Sequence, residues 1–269
     1  MSIDYERLSP ALGAHVSGLD LTECSADLVS VLRKLLHQVG VVVVANQYMR
    51  EEELLQFGLR WGELLTHPTS VKKTNPYVQV LASTDGVRGR GLGSWHSDMS
   101  WHPTPPRITM LYGRKIPKHG GDTCYSNQRL ALEMLDVAGR DKRRSHRRDM
   151  PSRQDIEGFR ANHTGKGFGE DVPDSVHPVI RTHDETESQA LYVNPEFTTH
   201  LVDIDRAESD RILWPLWMHA ISEEFVYRHR WHAGDLVIWD NRLVMHTAIL
   251  DYDTPRTMLR VVVKGDVPA

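Results

Sequence analysis

The chain has 269 residues, 40% of them hydrophobic and 25% charged, with a formal net charge of −4. That is apolar content enough for a sizeable core, and the acidic balance gives no reason to expect nucleic acid or an anionic membrane as a partner. Two cysteines, Cys24 and Cys124, cannot build a disulfide framework; residues 1–7 show no basic stretch leading into an apolar one, and the apolar run from Val41 to Ala45 is too short for a bilayer, so a cytoplasmic protein is expected.

In chain order, Leu28, Val31, Leu32, Leu35 and Leu36 recur at helical spacing, with Ser25 as N-cap and Gly40 just past the end. Residues 41–44, four valines, follow as a buried strand. Leu54, Phe57, Gly58 and Trp61 mark a second helix, ended by Gly62. Gly86, Gly89, Gly91 and Gly93 lack the strand-turn-helix frame of a phosphate-binding loop and read as a surface loop, a lid beside the site that follows. Residues 107–114 read as a strand, and Leu130, Ala131, Met134, Leu135 and Ala138 as a third helix capped by Asn127. The basic stretch 140–148 reads as a solvated face. Strands are expected at 179–182 and 190–193, then a helix around Leu213, Leu216, Trp217 and Ala220 that Pro215 either starts or kinks. Strands at 235–239 and 258–264 complete the pattern. With no internal repeat and no Pro- or Ser-rich linker, residues 1–269 read as one domain, mixed in structure and dominated by strands around the motifs.

The chemistry-bearing residues are His96, Asp98 and, far downstream, His246. Residues i and i+2 of a strand share a face, so His96 and Asp98 can converge on one metal ion from a strand or its end. A third ligand must come from elsewhere. His246, delivered by a strand-then-turn pattern, is the best candidate; His102 shares the parity of the first two, but Pro103, Pro105 and Pro106 end the strand there. Two histidines and one carboxylate, leaving positions open, is the pattern of non-haem Fe(II) oxygenases. Downstream, Arg256, Met258 and Arg260 share one face of an extended segment. Either the two guanidinium groups point into a barrel interior, where anions must meet them, or they lie at the surface, paired with acids such as Asp251 and Asp253.

Collinear motifs along nearly the whole chain resemble the TauD/TfdA type of Fe(II)/2-oxoglutarate dioxygenase. They are residues 13–21 (GAHVSGLDL), 95–98 (WHSD), 120–124 (GGDTC), 177–183 (HPVIRTH), 191–199 (LYVNPEFTT), 225–231 (FVYRHRW), 234–246 (GDLVIWDNRLVMH) and the Arg256/Arg260 pair. The resemblance implies a mainly β protein with flanking helices, built on a double-stranded β-helix, a jelly-roll, cupin-like core. It implies that His96, Asp98 and His246 ligate Fe(II), that Thr123 and Arg256 bind the distal carboxylate of 2-oxoglutarate, and that Arg260 and His67 meet an anionic group of the substrate. The implied reaction consumes O2 and 2-oxoglutarate, releases succinate and CO2, and hydroxylates a C–H bond. Asp98 favours hydroxylation over halogenation, since the family's halogenating relatives lack that carboxylate.

Two departures bear on the substrate. Leu92 and Ser70 stand where taurine dioxygenase has an asparagine and a tyrosine on the amino end of taurine, so another small anion is expected: an aryloxyalkanoate, sulfonate, alkyl sulfate or amino-acid-like molecule. Trp95, Met99, Trp101 or Phe197 could wall its pocket. The family also implies a homo-oligomer, a dimer or tetramer. Two other readings remain: a cupin-like metalloprotein doing non-oxidative chemistry, which needs the triad but not Thr123 and Arg256, and a non-catalytic binding protein, which is expected to have lost a ligand.

Overall fold

Ser25 accepts a hydrogen bond from the backbone N–H of Leu28, and Gly40 takes a left-handed φ of 73°, so the first apolar stripe is capped at both ends as helix α1 (Ala26–Val39). The structure is a computed structural model, and it describes residues 3–66, 75–84, 93–135, 150–165 and 174–269. Among the described residues four further helices are α2 (Glu51–Leu59), α3 (Gln128–Glu133), α4 (Arg153–Ile156) and α5 (Arg206–Ala220). Asn127 caps α3 as expected, accepting from Leu130 N–H; Ala138 lies outside the described residues. Helix α2 stops before Trp61 and Gly62, which lie in the turn beyond it. Helix α5 starts earlier than its apolar stripe suggests, because Asp205 caps it by accepting from Glu208 N–H. Pro215 therefore sits in the helix interior, where it has no N–H to give.

The strands are β1 (Tyr5–Arg7), β2 (Ala14–Val16), β3 (Val41–Val44), β4 (Gln79–Ser83), β5 (Ile108–Lys115), β6 (Thr123–Asn127), β7 (Arg160–His163), β8 (Ser175–Pro178), β9 (Ile180–Thr182), β10 (Gln189–Leu191), β11 (Thr198–Leu201), β12 (Val226–His229), β13 (Leu236–Asp240), β14 (Val244–Ala248) and β15 (Arg256–Val263). Among the described residues the larger sheet runs β1-β2-β3-β13-β5-β15-β4, and a smaller one runs β12-β6-β14. Two further sheets, β11-β7-β8 and β9-β10, complete the set. All pairs are antiparallel except β2 with β3.

Strand alternation sorts the core into layers. Val42 and Val44, Ile108 and Met110, Leu236 and Ile238, and Leu259 and Val261 pack outward from the large sheet beneath α1 and α2. Their alternates, Val41, Val43, Leu111, Val237, Trp239 and Met258, pack inward against Tyr125 and Val244 of the small sheet. On the far side, Met245 joins residues of α3, α5 and the accessory strands. The result is two facing sheets with helices outside, the jelly-roll core of the double-stranded β-helix. Both faces of β15 are filled, so its apolar side does not mark the interior; the interior side is the one carrying Arg256, Met258 and Arg260.

His163 on β7 and His177 on β8 are buried in contact, ring centroids 5.4 Å apart. Burial, aided by its neighbour His177, pulls His163 down to about 3; burial and the nearby Arg181 pull His177 down to about 4. The unfolded chain binds these protons near pH 6.5 while the folded one refuses them, so stability is full above pH 6.5 and falls as pH drops toward 4. Each histidine contributes a slope of up to about 1.4 kcal/mol per pH unit in that window. Thermal unfolding followed from pH 7.5 to 4.5 should show the midpoint falling below pH 6.5. A flat midpoint would overturn the assignment of both rings as buried and neutral.

Candidate metal centre

His246 lies in the middle of β14, paired with Tyr125 of β6, and turns its ring inward between the sheets. The ring rests against Trp239 and Tyr125, with centroids 4.7 and 6.0 Å away. His96 is set beside it by a reciprocal backbone pair, His96 N–H to His246 O at 3.0 Å and His246 N–H to His96 O at 2.8 Å. The two imidazole centroids are consequently 4.3 Å apart.

Asp98 does not reach the site by strand alternation. The pairing at His96 is a single bridge, and the chain then turns through residues 98–101 with Met99 at a φ of 45°. A non-glycine residue in that region costs about 1–3 kcal/mol and persists only where its surroundings dictate it. Here the Met99 side chain is buried with Trp101 and Phe197. The turn leaves Asp98 Oδ1 at 3.9 Å from both His96 Nε2 and His246 Nε2. Ligand atoms of His96, Asp98 and His246 all lie within 4.8 Å of one another. His102 is elsewhere, its Nδ1 engaged with Thr104.

Charge and protonation suit a cation. Burial alone would raise the Asp98 carboxyl, but Arg260, the two imidazoles and Thr109 outweigh it and hold the acid well below the usual carboxylate range. Thr109 Oγ1 donates to Asp98 Oδ2 at 2.6 Å, and Arg260 Nη1 donates to Oδ1 at 3.0 Å. Burial, with His96 alongside, pulls His246 down to about 3, so its ring is neutral with a lone pair free. His96 Nδ1 sits 2.8 Å from the Ser94 carbonyl and donates to it, which leaves Nε2 as the lone-pair nitrogen.

Arg256 forms a second feature of the same interior. Its guanidinium lies over the rings of Trp231 and Tyr252, at 5.9 and 5.6 Å, and its Nε and Nη2 are buried with no hydrogen-bond partner. Burial pushes its pKa below the ordinary value, the sign of a cation short of an anion. Trp231 Nε1 donates to Thr123 Oγ1 at 3.0 Å, which ties the buried Thr123 to this wall. The turn leading into Thr123 requires its glycines: a Cβ at Gly120 would stand 2.6 Å from Asp251 Oδ1, and Gly121 donates to that oxygen at 2.8 Å. Asp251 thus braces the turn.

The structure brings together His96, Asp98, His246 and Arg260, with Thr109 as an unforeseen fifth member. His67, Ser70, Leu92, Gly86, Gly89, Gly91 and the basic stretch 140–148 lie outside the described residues. Gly93 is bound to β14 through Ala248 and Thr247. Of the expected pocket walls, Trp95 packs instead into the core around α3 and α5, while Phe197 stands edge-on to His96 at 5.8 Å. Trp231 and Tyr252 were not foreseen either; an aromatic in a motif gives no sign of which cation it supports.

A second group of metal-ligating residue types, His37, His183 and Asp240, has similar spacing. It is already neutralised. Asp240 takes two bonds from the Arg242 guanidinium, at 2.8 and 2.7 Å, and one from His183 at 3.0 Å.

The sequence pattern of the taurine catabolism dioxygenase TauD, TfdA family matches residues 4–262. An alpha-ketoglutarate-dependent sulfate ester dioxygenase of Pseudomonas putida is 29% identical over 100% of this chain and 91% of its own. The alpha-ketoglutarate-dependent 2,4-dichlorophenoxyacetate dioxygenase of Cupriavidus pinatubonensis is 29% identical over 91% of this chain and 92% of its own. A crystal structure of a taurine dioxygenase from Burkholderia xenovorans superimposes with a TM-score of 0.85 at 31% identity, covering 100% of this chain and 93% of that one.

Proposed function

Because this chain belongs to the TauD/TfdA family and is with it a 2-oxoglutarate-dependent dioxygenase, we propose that His96, Asp98 and His246 hold Fe(II) and that Arg256 and Thr123 hold the distal carboxylate of 2-oxoglutarate. The residues fit both groups. Two imidazoles, that of His246 neutral, and an ionised carboxylate are the donor set for a metal that keeps positions open. A buried guanidinium with two unpartnered N–H groups, beside a threonine hydroxyl, is a donor set for a carboxylate. Bound there, iron supplies the oxidative chemistry, in which O2 and 2-oxoglutarate become succinate and CO2 and a substrate C–H bond is hydroxylated.

The protein's own part is binding and orientation. Arg256 and Thr123 fix one end of the cosubstrate, and Trp239 and Tyr125 keep His246 from turning. Arg260, held against Asp98, draws an anionic substrate to the metal's side; His67 shares that role in the proposal. Met99, Trp101 and Phe197 supply an apolar wall next to His96. The substrate class is a small organic anion such as a sulfate ester, sulfonate or aryloxyalkanoate. A dimer or tetramer working in the cytoplasm belongs to the same proposal; among the described residues no helix is long and apolar enough to cross a membrane.

The observation that carries this reading is the Arg256 guanidinium, its buried Nε and Nη2 without hydrogen-bond partners, set in the interior that also holds the triad. Anaerobic titration with Fe(II) and 2-oxoglutarate tests it. The visible charge-transfer band of the chelate is expected in the parent protein and lost in Arg256→Ala at the same 2-oxoglutarate concentration, with at least ~10-fold more needed to restore it, as for loss of a charged hydrogen-bonding partner. Iron binding without the band in the parent would point to a metalloprotein of other chemistry.

A further inference from the structure

We infer that Asn241 and Thr109 are positioning residues that hold Asp98 to the metal through one oxygen only, which keeps a coordination position open; this rests on the triad reading above. All three side chains are buried. The direction of each bond follows from the chemistry of the groups. Asn241 Oδ1 accepts from Trp239 Nε1 at 2.9 Å and from the Asp98 backbone N–H at 3.3 Å. A flipped amide would set an NH2 group against those two donors, so the orientation is fixed. Nδ2 must then face Thr109, and it donates to Oγ1 at 2.8 Å. With that oxygen accepting, the one hydroxyl proton of Thr109 goes to Asp98 Oδ2 at 2.6 Å.

Oδ2 is thereby capped from the side away from the imidazoles, and Oδ1, which also accepts from Arg260 Nη1 at 3.0 Å, is the oxygen that faces both imidazole Nε2 atoms. A metal held by His96, His246 and this one oxygen would keep more positions open for the cosubstrates than a metal that Asp98 gripped through both oxygens.

The mount is rigid. Asn241 sits in the turn between β13 and β14, its own N–H bound to Arg107 O at 2.9 Å, with Asp240 and Arg242 locked to each other on either side. Five residues on, after the chain has crossed to the facing sheet, β14 carries His246, so one turn between the sheets sets two of the three proposed ligands.

The test is titration with Mn(II) alone, free ion being read by its paramagnetic resonance signal, on the parent, Thr109→Val and Thr109→Ser. Valine keeps the shape and removes the hydroxyl; serine keeps the hydroxyl. The dissociation constant is expected to rise about 10–100-fold in the valine protein, the usual effect of losing an outer hydrogen-bond partner, and to return to within a few-fold of the parent in the serine protein. If the valine protein does not fold, Thr109→Ala takes its place under the same two outcomes. A variant without the hydroxyl that binds Mn(II) as the parent does, or a serine protein as weak as the valine one, overturns the inference. A parent protein that binds no Mn(II) sinks the triad reading instead.

Discussion

His96→Ala is expected to fold as the parent protein does and to form no succinate from 2-oxoglutarate above background. The His96 ring is the most exposed of the triad, and its one hydrogen bond runs to the carbonyl of Ser94, two residues away. Removing it costs the fold little, because the backbone pair with His246 does not depend on the side chain. In the proposed site it removes a metal ligand, so the loss must exceed the ~10–100-fold that an outer partner is worth. Asp98→Ala should be equally inactive and also less stable, since Arg260 then loses its anion. Succinate assays beside thermal unfolding separate the two effects. Turnover near that of the parent in His96→Ala would falsify the site.

The largest stability effect is expected at a residue without a catalytic part. Arg242 has no exposed side-chain surface, and its guanidinium binds Asp240 twice, Asp184 at 2.7 Å and Glu185 at 2.8 Å. Burial works against its charge, yet the surrounding carboxylates raise its pKa above the usual value. Asp240 is correspondingly held far below its own. Arg242→Met leaves Asp240 as an uncompensated charge in the interior, which costs about 3–5 kcal/mol, or a midpoint lower by roughly 10 °C. Replacing both, Arg242→Met with Asp240→Leu, should cost less than the sum of the single changes, since no unpaired charge remains. Calorimetry on the three variants decides it; additive losses mean that the pair is not coupled.

The elements that could be read from the sequence were those with local signals. The stripe of α1 between Ser25 and Gly40, the valine run of β3 and the Asn127 cap all carry their reasons within a few residues. That His96, Asp98 and His246 come together was legible because residue type and neighbourhood suffice to suggest a triad. How Asp98 arrives was not: strand parity and a left-handed turn at Met99 put the same atoms in reach, and nothing about a methionine announces a positive φ. Thr109 and Asn241 were invisible for another reason. They stand 11 and 143 residues from Asp98 and mean nothing until β5 and β13 pair in register. The Asp240–Arg242 pair read as the edge of a turn, because a short polar string carries no sign that it is buried.

The bridge between His96 and His246 joins positions 150 residues apart (246 − 96). Closing so long a loop costs conformational entropy that only the finished sheets return, and long-range pairings of this kind form slowly. On the ribosome, His96 and Asp98 emerge with Thr109 soon after them, but Asn241 and His246 come only after β13 has been made. A nascent chain can therefore offer a passing metal ion no more than half a site. Under the proposed assignment, loading is a step that follows folding, and the ion is selected by what is free around the completed protein rather than by what the chain meets during its synthesis.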